Sequence, residues 1–129
     1  MIVLDASVLI AHLDADDAHH SSADQLLAET SPAALGASPI TLAEVLVAPA
    51  RTGRLDRANA ALKRLGIDSV ALVEDAPLRL AVLRAGTKLK LPDCCVLLAA
   101  ETADASIATF DDRLATAARE RGHVVVSRP

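Results

Sequence analysis

The chain has 129 residues, 52% of them hydrophobic and 23% charged, with a single aromatic residue (Phe110) and a formal net charge of −4. A chain of this size is read as one domain, residues 1–129, which buries about two-thirds of its unfolded surface and needs neither a disulfide nor a structural metal to hold a core. No apolar run reaches the ~18 residues of a membrane span, and Met1 to Leu13 lacks a basic segment and is interrupted by Asp5, so no membrane contact and a cytoplasmic location are expected.

Ile2-Val3-Leu4 is a short apolar run that predicts a buried strand, and Val8-Leu9-Ile10 belongs to a first helix. Ser21 to Ala28 predicts a second helix, and Ala34-Leu35-Gly36-Ala37 a weak second strand ending at Ser38-Pro39. Ile40 to Val47 reads as an almost wholly apolar helix stopped before Pro49. Leu55, Ala58, Leu62 and Leu65 recur at spacings of three and four, which marks an amphipathic helix ending at Gly66. Ser69 to Val73 predicts a third strand. Leu78, Val82, Ala85 and Leu89 mark a helix, and Pro92 opens another that runs through Ala103. Ser106 to Thr109 predicts the fourth strand, Asp112 to Arg121 a helix, and Val124-Val125-Val126 the fifth strand. Apolar strands alternating with helices predict an α/β fold, a parallel sheet covered by helices on both faces.

The charge is unevenly spread. From Arg51 to Lys90 nine basic residues face four acidic ones, a balance of +5, whereas the remainder holds four basic and thirteen acidic residues, a balance of −9. Such a chain can hold a cation in one place and phosphates in another, although a solvated helical surface would give the same count. Arg54, Arg57 and Arg64 run one position behind the apolar stripe of their helix, and Arg51 extends that row toward Glu44. The row is a candidate track for a phosphate backbone, with Arg79, Arg84, Lys88 and Lys90 as the other candidate.

Four carboxylates lie against segments that must be core. Asp5 closes the first strand, Glu44 lies inside the apolar helix, Asp93 precedes Cys94-Cys95-Val96-Leu97-Leu98, and Asp111 follows Ile107-Ala108-Thr109-Phe110. Asp5, Asp93 and Asp111 are each also explained as helix caps, but Glu44 is not. Carboxyl ends of strands and first turns of helices meet in the crevice of an open parallel sheet. Carboxylates brought to ~5 Å at an effective dielectric near 20 repel by ~3 kcal/mol per pair. A hard divalent cation removes that penalty, and an all-oxygen set suits Mg2+ or Mn2+, which can polarise a phosphodiester and activate water.

The segments Ile2 to Ser7, Ser38 to Glu44, Leu91-Pro92-Asp93 and Thr109-Phe110-Asp111 resemble the four acidic motifs of the PIN-domain ribonucleases. Their order and the chain length are similar to the VapC toxins of bacterial VapBC toxin–antitoxin systems. The resemblance implies a PIN domain whose parallel five-stranded sheet has the order 3-2-1-4-5. It implies a Mg2+-dependent endoribonuclease, with Mn2+ as substitute, that cleaves tRNA or rRNA and so inhibits translation and growth. It further implies a homodimer and a cognate VapB-type antitoxin. Carried over by position, Asp5, Glu44, Asp93 and Asp111 are the catalytic, metal-binding acids, and Ser7 and Thr109 support them or the substrate by hydrogen bonds. Cys94-Cys95 departs from a pattern in which small residues are common there, and opens a route to oxidation. Asp112, beside Asp111, is read as a helix cap, with an extra ligand as the other reading.

Other classes fit less well. A phospho-receiver domain needs an adjacent acidic pair after the first strand and a Lys after the last, and neither is present. A haloacid-dehalogenase-type phosphatase needs Asp-x-Asp where this chain reads Asp5-Ala6-Ser7, and glycine-rich nucleotide motifs are absent. A non-catalytic PIN-like binding module remains the alternative, opposed by the intact acidic set. Cys94 and Cys95, adjacent and without a C-x-x-C spacing, read as two small buried hydrophobes rather than a disulfide or zinc ligands. Asp16, Asp17, His19 and His20 read as loop and cap residues, with His20 touching RNA as the other reading, and Phe110 is expected in the core, away from any base-stacking role.

Overall fold

In a computed structural model, residues 1–30 and 32–126 are described. The elements run β1 (Ile2–Leu4), α1 (Ala6–Leu13), α2 (His20–Thr30), β2 (Leu35–Ala37), α3 (Pro39–Arg51), α4 (Leu55–Arg64), β3 (Ile67–Ser69), α5 (Ala76–Gly86), α6 (Leu91–Ala103), β4 (Ser106–Ala108), α7 (Asp112–Glu120) and β5 (Val125–Val126). All strands pair in parallel, in the order β3-β2-β1-β4-β5, as expected for the PIN fold. Successive strand residues face opposite sides of the sheet, so β1 and β4 each feed two cores. Val3 and Ile107 join Leu97, Leu98 and Leu114 on one side, and Leu4 and Ala108 join Val8, Leu9, Leu26 and Leu62 on the other. Among the described residues no helix is long and apolar enough to cross a membrane.

α2 runs His20–Thr30, longer than the Ser21 to Ala28 read from the sequence, and β2, β4 and β5 are each one residue shorter than read. Three further elements differ in ways that change the packing. α3 does not stop before Pro49 but runs through it to Arg51. Pro49 lies in the last turn, where a missing N–H removes one bond and few residues follow, while Thr52 and Arg54 close the end with bonds to the Pro49 carbonyl. β3 starts two residues early, because Gly66 at φ +72 turns the chain out of α4 directly onto the sheet edge. Leu35, Gly36 and Ala37 therefore face Ile67, Asp68 and Ser69, and the apolar run behind them packs Val70 and Val73 on the α6 core instead. An edge strand tolerates polar residues, which is why β3 need not be the apolar stretch. α5 ends at Gly86, so Leu89 is buried from the loop that follows.

The order of the strands fixes where a site can form. From β1 the chain moves outward to β2 and β3, then returns past β1 to β4 on its other side. The carboxyl ends of β1 and β4 thus open between connections that leave in opposite directions, the switch point at which such sheets bind ligands. α3 and α6 pack against each other beside it, and α6 packs on β1 and β4.

Candidate functional site

Asp5 follows β1 and is 6% exposed, one of few buried polar residues among those described. It occupies the N-cap position of α1, yet its side chain makes no capping bond, so the cap explanation fails for it. Its Oδ2 instead accepts the Ser7 hydroxyl at 2.7 Å and the Thr109 hydroxyl at 2.8 Å, the latter reaching across from β4. The direction of both protons is set by the backbone. Ser7 Oγ accepts the Phe110 N–H at 3.0 Å and Thr109 Oγ1 accepts the Asp111 N–H at 2.9 Å, so each hydroxyl has its proton left for Asp5. Every hydrogen bond to the carboxylate among the described residues falls on Oδ2, which leaves Oδ1 its acceptor capacity. Ser7 and Thr109 thus both hydrogen-bond to the first of the four acids.

The other acids approach from three elements. Asp93 is the third residue of α6, whose N-cap is Lys90, so Asp93 is half-buried rather than a cap. Burial raises its carboxyl above the ordinary 3.8, the negative charges of Asp5 and Asp111 add to that, and a backbone bond from Lys90 with the Lys90 charge opposes it. Glu44 lies in the second turn of α3, not the first, and its side chain is exposed, not core: α3 buries only Thr41 and Val45. Its crevice side is nonetheless desolvated, which raises its carboxyl above 4.5, with Asp5 and then Asp93 contributing further. Asp111 is the true N-cap of α7, its Oδ1 accepting from the Arg113 N–H at 2.9 Å and the Leu114 N–H at 3.3 Å. Asp112 is the first residue of the helix and not its cap, a correction that follows from the extended backbone at Asp111.

The four acids are therefore one electrostatic group, each of Glu44 and Asp93 feeling Asp5, and Asp93 feeling Asp111. They are not a closed ligand cage: among the described residues no three His, Cys, Asp or Glu side chains converge tightly enough to hold an ion. Like charges hold such side chains apart at a solvent-open lip.

Arg51, Arg54, Arg57 and Arg64 are all exposed, and the salt bridges among the described residues do not involve them. Because α3 is continuous, Arg51 shares a helix with Glu44 and lies seven residues on, two turns along the same face. Arg54 and Arg57 line an open depression with Gly53, Leu55 and Asp56, apart from the carboxylates. In the other basic group, Arg79 is committed to Glu101 at 2.8 Å, which weakens that group as an RNA track. Cys94 and Cys95 are free and buried, and burial pushes both thiols up, as suits small core residues.

Phe110 meets the core as expected but on one face only, and His20 takes the loop-and-cap reading at the start of α2. Phe110 is half-buried, packed on the core from one side and stacked from the other by the His19 ring, with centroids 5.0 Å apart and planes 21° apart. His20 is turned inward, its Nδ1 donating to the Ala11 carbonyl at 2.7 Å and its Nε2 beside Asp24 at 3.3 Å. Only the spacing of the α1–α2 turn could have signalled this, and spacing does not say which of two adjacent histidines points out.

The PIN-domain family model matches residues 2–120. The chain belongs to the PIN-domain family. This PIN domain is similar in structure to VapC20 of Mycobacterium tuberculosis, described as a sarcin–ricin-loop-cleaving toxin, at TM-score 0.81 and 18% identity over 99% of this chain and 100% of that one. It is similar to a chain of a toxin–antitoxin complex from Klebsiella pneumoniae at TM-score 0.74 and 26% identity, covering 98% and 97%. It also resembles a chain of FitAcB from Neisseria gonorrhoeae at TM-score 0.71 and 20% identity, covering 98% and 97%. Compared by sequence with curated proteins, the chain has no match.

Proposed function

We propose that this PIN domain is the endoribonuclease toxin of a VapBC-type pair, dependent on Mg2+ or Mn2+ and acting on tRNA or rRNA. The observation that carries the reading is Asp5: a buried carboxylate whose Oδ2 is fixed by two hydroxyls and whose charge reaches both Glu44 and Asp93. This donor set is oxygen-only and negatively charged, which fits a hard divalent ion and not a soft one. Asp5, Glu44, Asp93 and Asp111 would hold the ion, which when bound polarises a phosphodiester and lowers the pKa of a water. Ser7 and Thr109 hold the Asp5 carboxylate in one orientation throughout, and Lys90 offsets part of the negative charge beside Asp93. Arg51, Arg54, Arg57 and Arg64 would carry RNA phosphates toward the acids.

The partner in this reading is an antitoxin, supported by the likeness to chains of a toxin–antitoxin complex from Klebsiella pneumoniae and of VapBC2 from Rickettsia felis, and a second copy of the chain would complete the assembly. The apolar strip of α5, with Leu78 at 74% and Val82 at 68% exposure, is the face a homodimer would cover. Cleavage of cellular RNA by the purified chain with Mg2+, Mn2+ or EDTA, read by sequencing new RNA ends, tests the activity. Cuts at defined positions that vanish with EDTA and in Asp5→Asn support it, and full activity in Asp5→Asn removes Asp5 from the site.

A further inference from the structure

The lip of the acidic site carries an aromatic pair that the reaction as described does not use. Phe110 is the one Phe in a chain without Trp or Tyr, and it sits between Thr109, which holds Asp5, and Asp111. Its backbone N–H is fixed by Ser7 Oγ at 3.0 Å. The ring is thus tied at its base to the groups that orient the central acid, and it lies under an exposed His19 ring at near-parallel stacking distance.

The turn that presents His19 does not depend on the His19 ring. Asp14 Oδ1 accepts the Asp16 N–H at 2.9 Å, Asp17 Oδ1 accepts the His19 N–H at 2.8 Å, and His20 locks the turn to Ala11 at 2.7 Å. The imidazole of His19 makes no hydrogen bond among the described residues; its contact is the Phe110 face. A flat ring open to solvent on a hydrogen-bonded turn, stacked on one side by Phe110, offers its other π-face next to the segment that carries Asp111. Nucleobases stack on such faces whatever their sequence.

We propose that His19, braced by Phe110, is a stacking platform for one unpaired nucleobase of the RNA substrate, adjacent to the phosphate that reaches the acids. The proposal rests on the ribonuclease reading and narrows it. A base in a continuous A-form duplex is already stacked on both sides, so the preferred substrate is a loop or single strand and not a helix.

The test uses the full chain without divalent metal, with a single-stranded RNA oligonucleotide carrying 2-aminopurine and the same strand in a duplex. For the parent, tighter binding of the single strand with quenching of the 2-aminopurine is expected. His19→Ala is expected to weaken single-strand binding about tenfold, to abolish the quench and to leave duplex binding unchanged. His19→Phe is expected to restore both, because it returns the ring but not the imidazole nitrogens. Single-strand binding and quench in His19→Ala equal to the parent, or no rescue by His19→Phe, overturns the proposal. If the parent stacks the base but cuts no RNA with any divalent metal, the ribonuclease reading fails and the platform stands. If the parent cuts and His19→Ala binds and cuts equally well, the platform fails and the ribonuclease reading stands.

Discussion

At the residue scale the site is organised by hydroxyls. Ser7 and Thr109 each accept a backbone N–H and spend their single proton on one oxygen of Asp5, so the carboxylate is oriented before anything binds. The cost of the arrangement falls on its neighbours. Glu44 and Asp93 have carboxyls raised in the folded chain, by burial first and by neighbouring negative charges after it. A raised carboxyl binds protons more readily folded than unfolded. Its contribution is fully present below the ordinary values of 4.5 and 3.8 and is lost as pH rises through the folded value. The metal-free protein is therefore expected to gain less Tm on moving from pH 7 to pH 5 when Glu44 is Gln, and to melt higher than the parent at pH 7. A Glu44→Gln variant with the parent's Tm at both pH values would show that Glu44 does not feel the group. Asp111 serves two ends, since its Oδ1 caps α7. Asn also caps well, so Asp111→Asn should keep the parent's melting temperature and lose metal-dependent cleavage. Asp111→Ala should lose cleavage and also about 1 kcal/mol of stability in denaturant unfolding.

At the element scale, α3 and α4 connect the acids to the basic stretch. α3 carries Glu44 and, two turns on, Arg51, while α4 buries Ala58 and Leu62 and leaves Arg54, Arg57 and Arg64 in solvent. Each phosphate neutralised by such a side chain adds about 0.7 to the slope of log affinity against log salt for a single strand. Arg54→Glu with Arg57→Glu is expected to weaken RNA binding, to lower that slope by at least about 1.4, and to leave metal binding unchanged, measured by titration between low and moderate salt. An unchanged slope would move the RNA to Arg84, Lys88 and Lys90.

At the scale of the whole molecule, the sheet divides two cores, and apolar surface remains outside both. On α5, Leu78, Ala81, Val82 and Ala85 recur at helical spacing and are all exposed, while Leu83 faces the core. α3 adds Ile40 at 39% and Val47 at 45% exposure. If α5 carries the proposed dimer contact, Leu78→Glu with Val82→Glu is expected to leave a folded monomer where the parent sediments as a dimer at micromolar concentration. These side chains are exposed in the single chain, so the substitution opens no cavity. A parent that sediments only as a monomer would assign the strip to another partner.

The sequence by itself determined the alternation of strands and helices, because short wholly apolar runs and stripes of helical period leave few other ways to bury themselves. It also singled out the four acids, since carboxylates beside segments expected in the core need a common reason. It did not determine which were caps. Asp5, Asp93 and Asp111 share one residue type and one kind of neighbourhood, yet only Asp111 caps a helix; Asp5 is held by hydroxyls from β4 and Asp93 follows a cap at Lys90. The apolar run around Glu44 suggested core, and the tertiary structure put Ile40, Ala43, Glu44 and Val47 in solvent, because α3 packs through Thr41, Leu42, Val45 and Leu46. The edge strand moved to Ile67–Ser69 because Gly66 reversed the chain earlier than hydrophobicity required. Phe110 and His19 lie far apart in the sequence, and only the fold stacks them. Local pattern is set by what neighbouring residues must bury, whereas a site is set by which ends of distant strands the topology brings together.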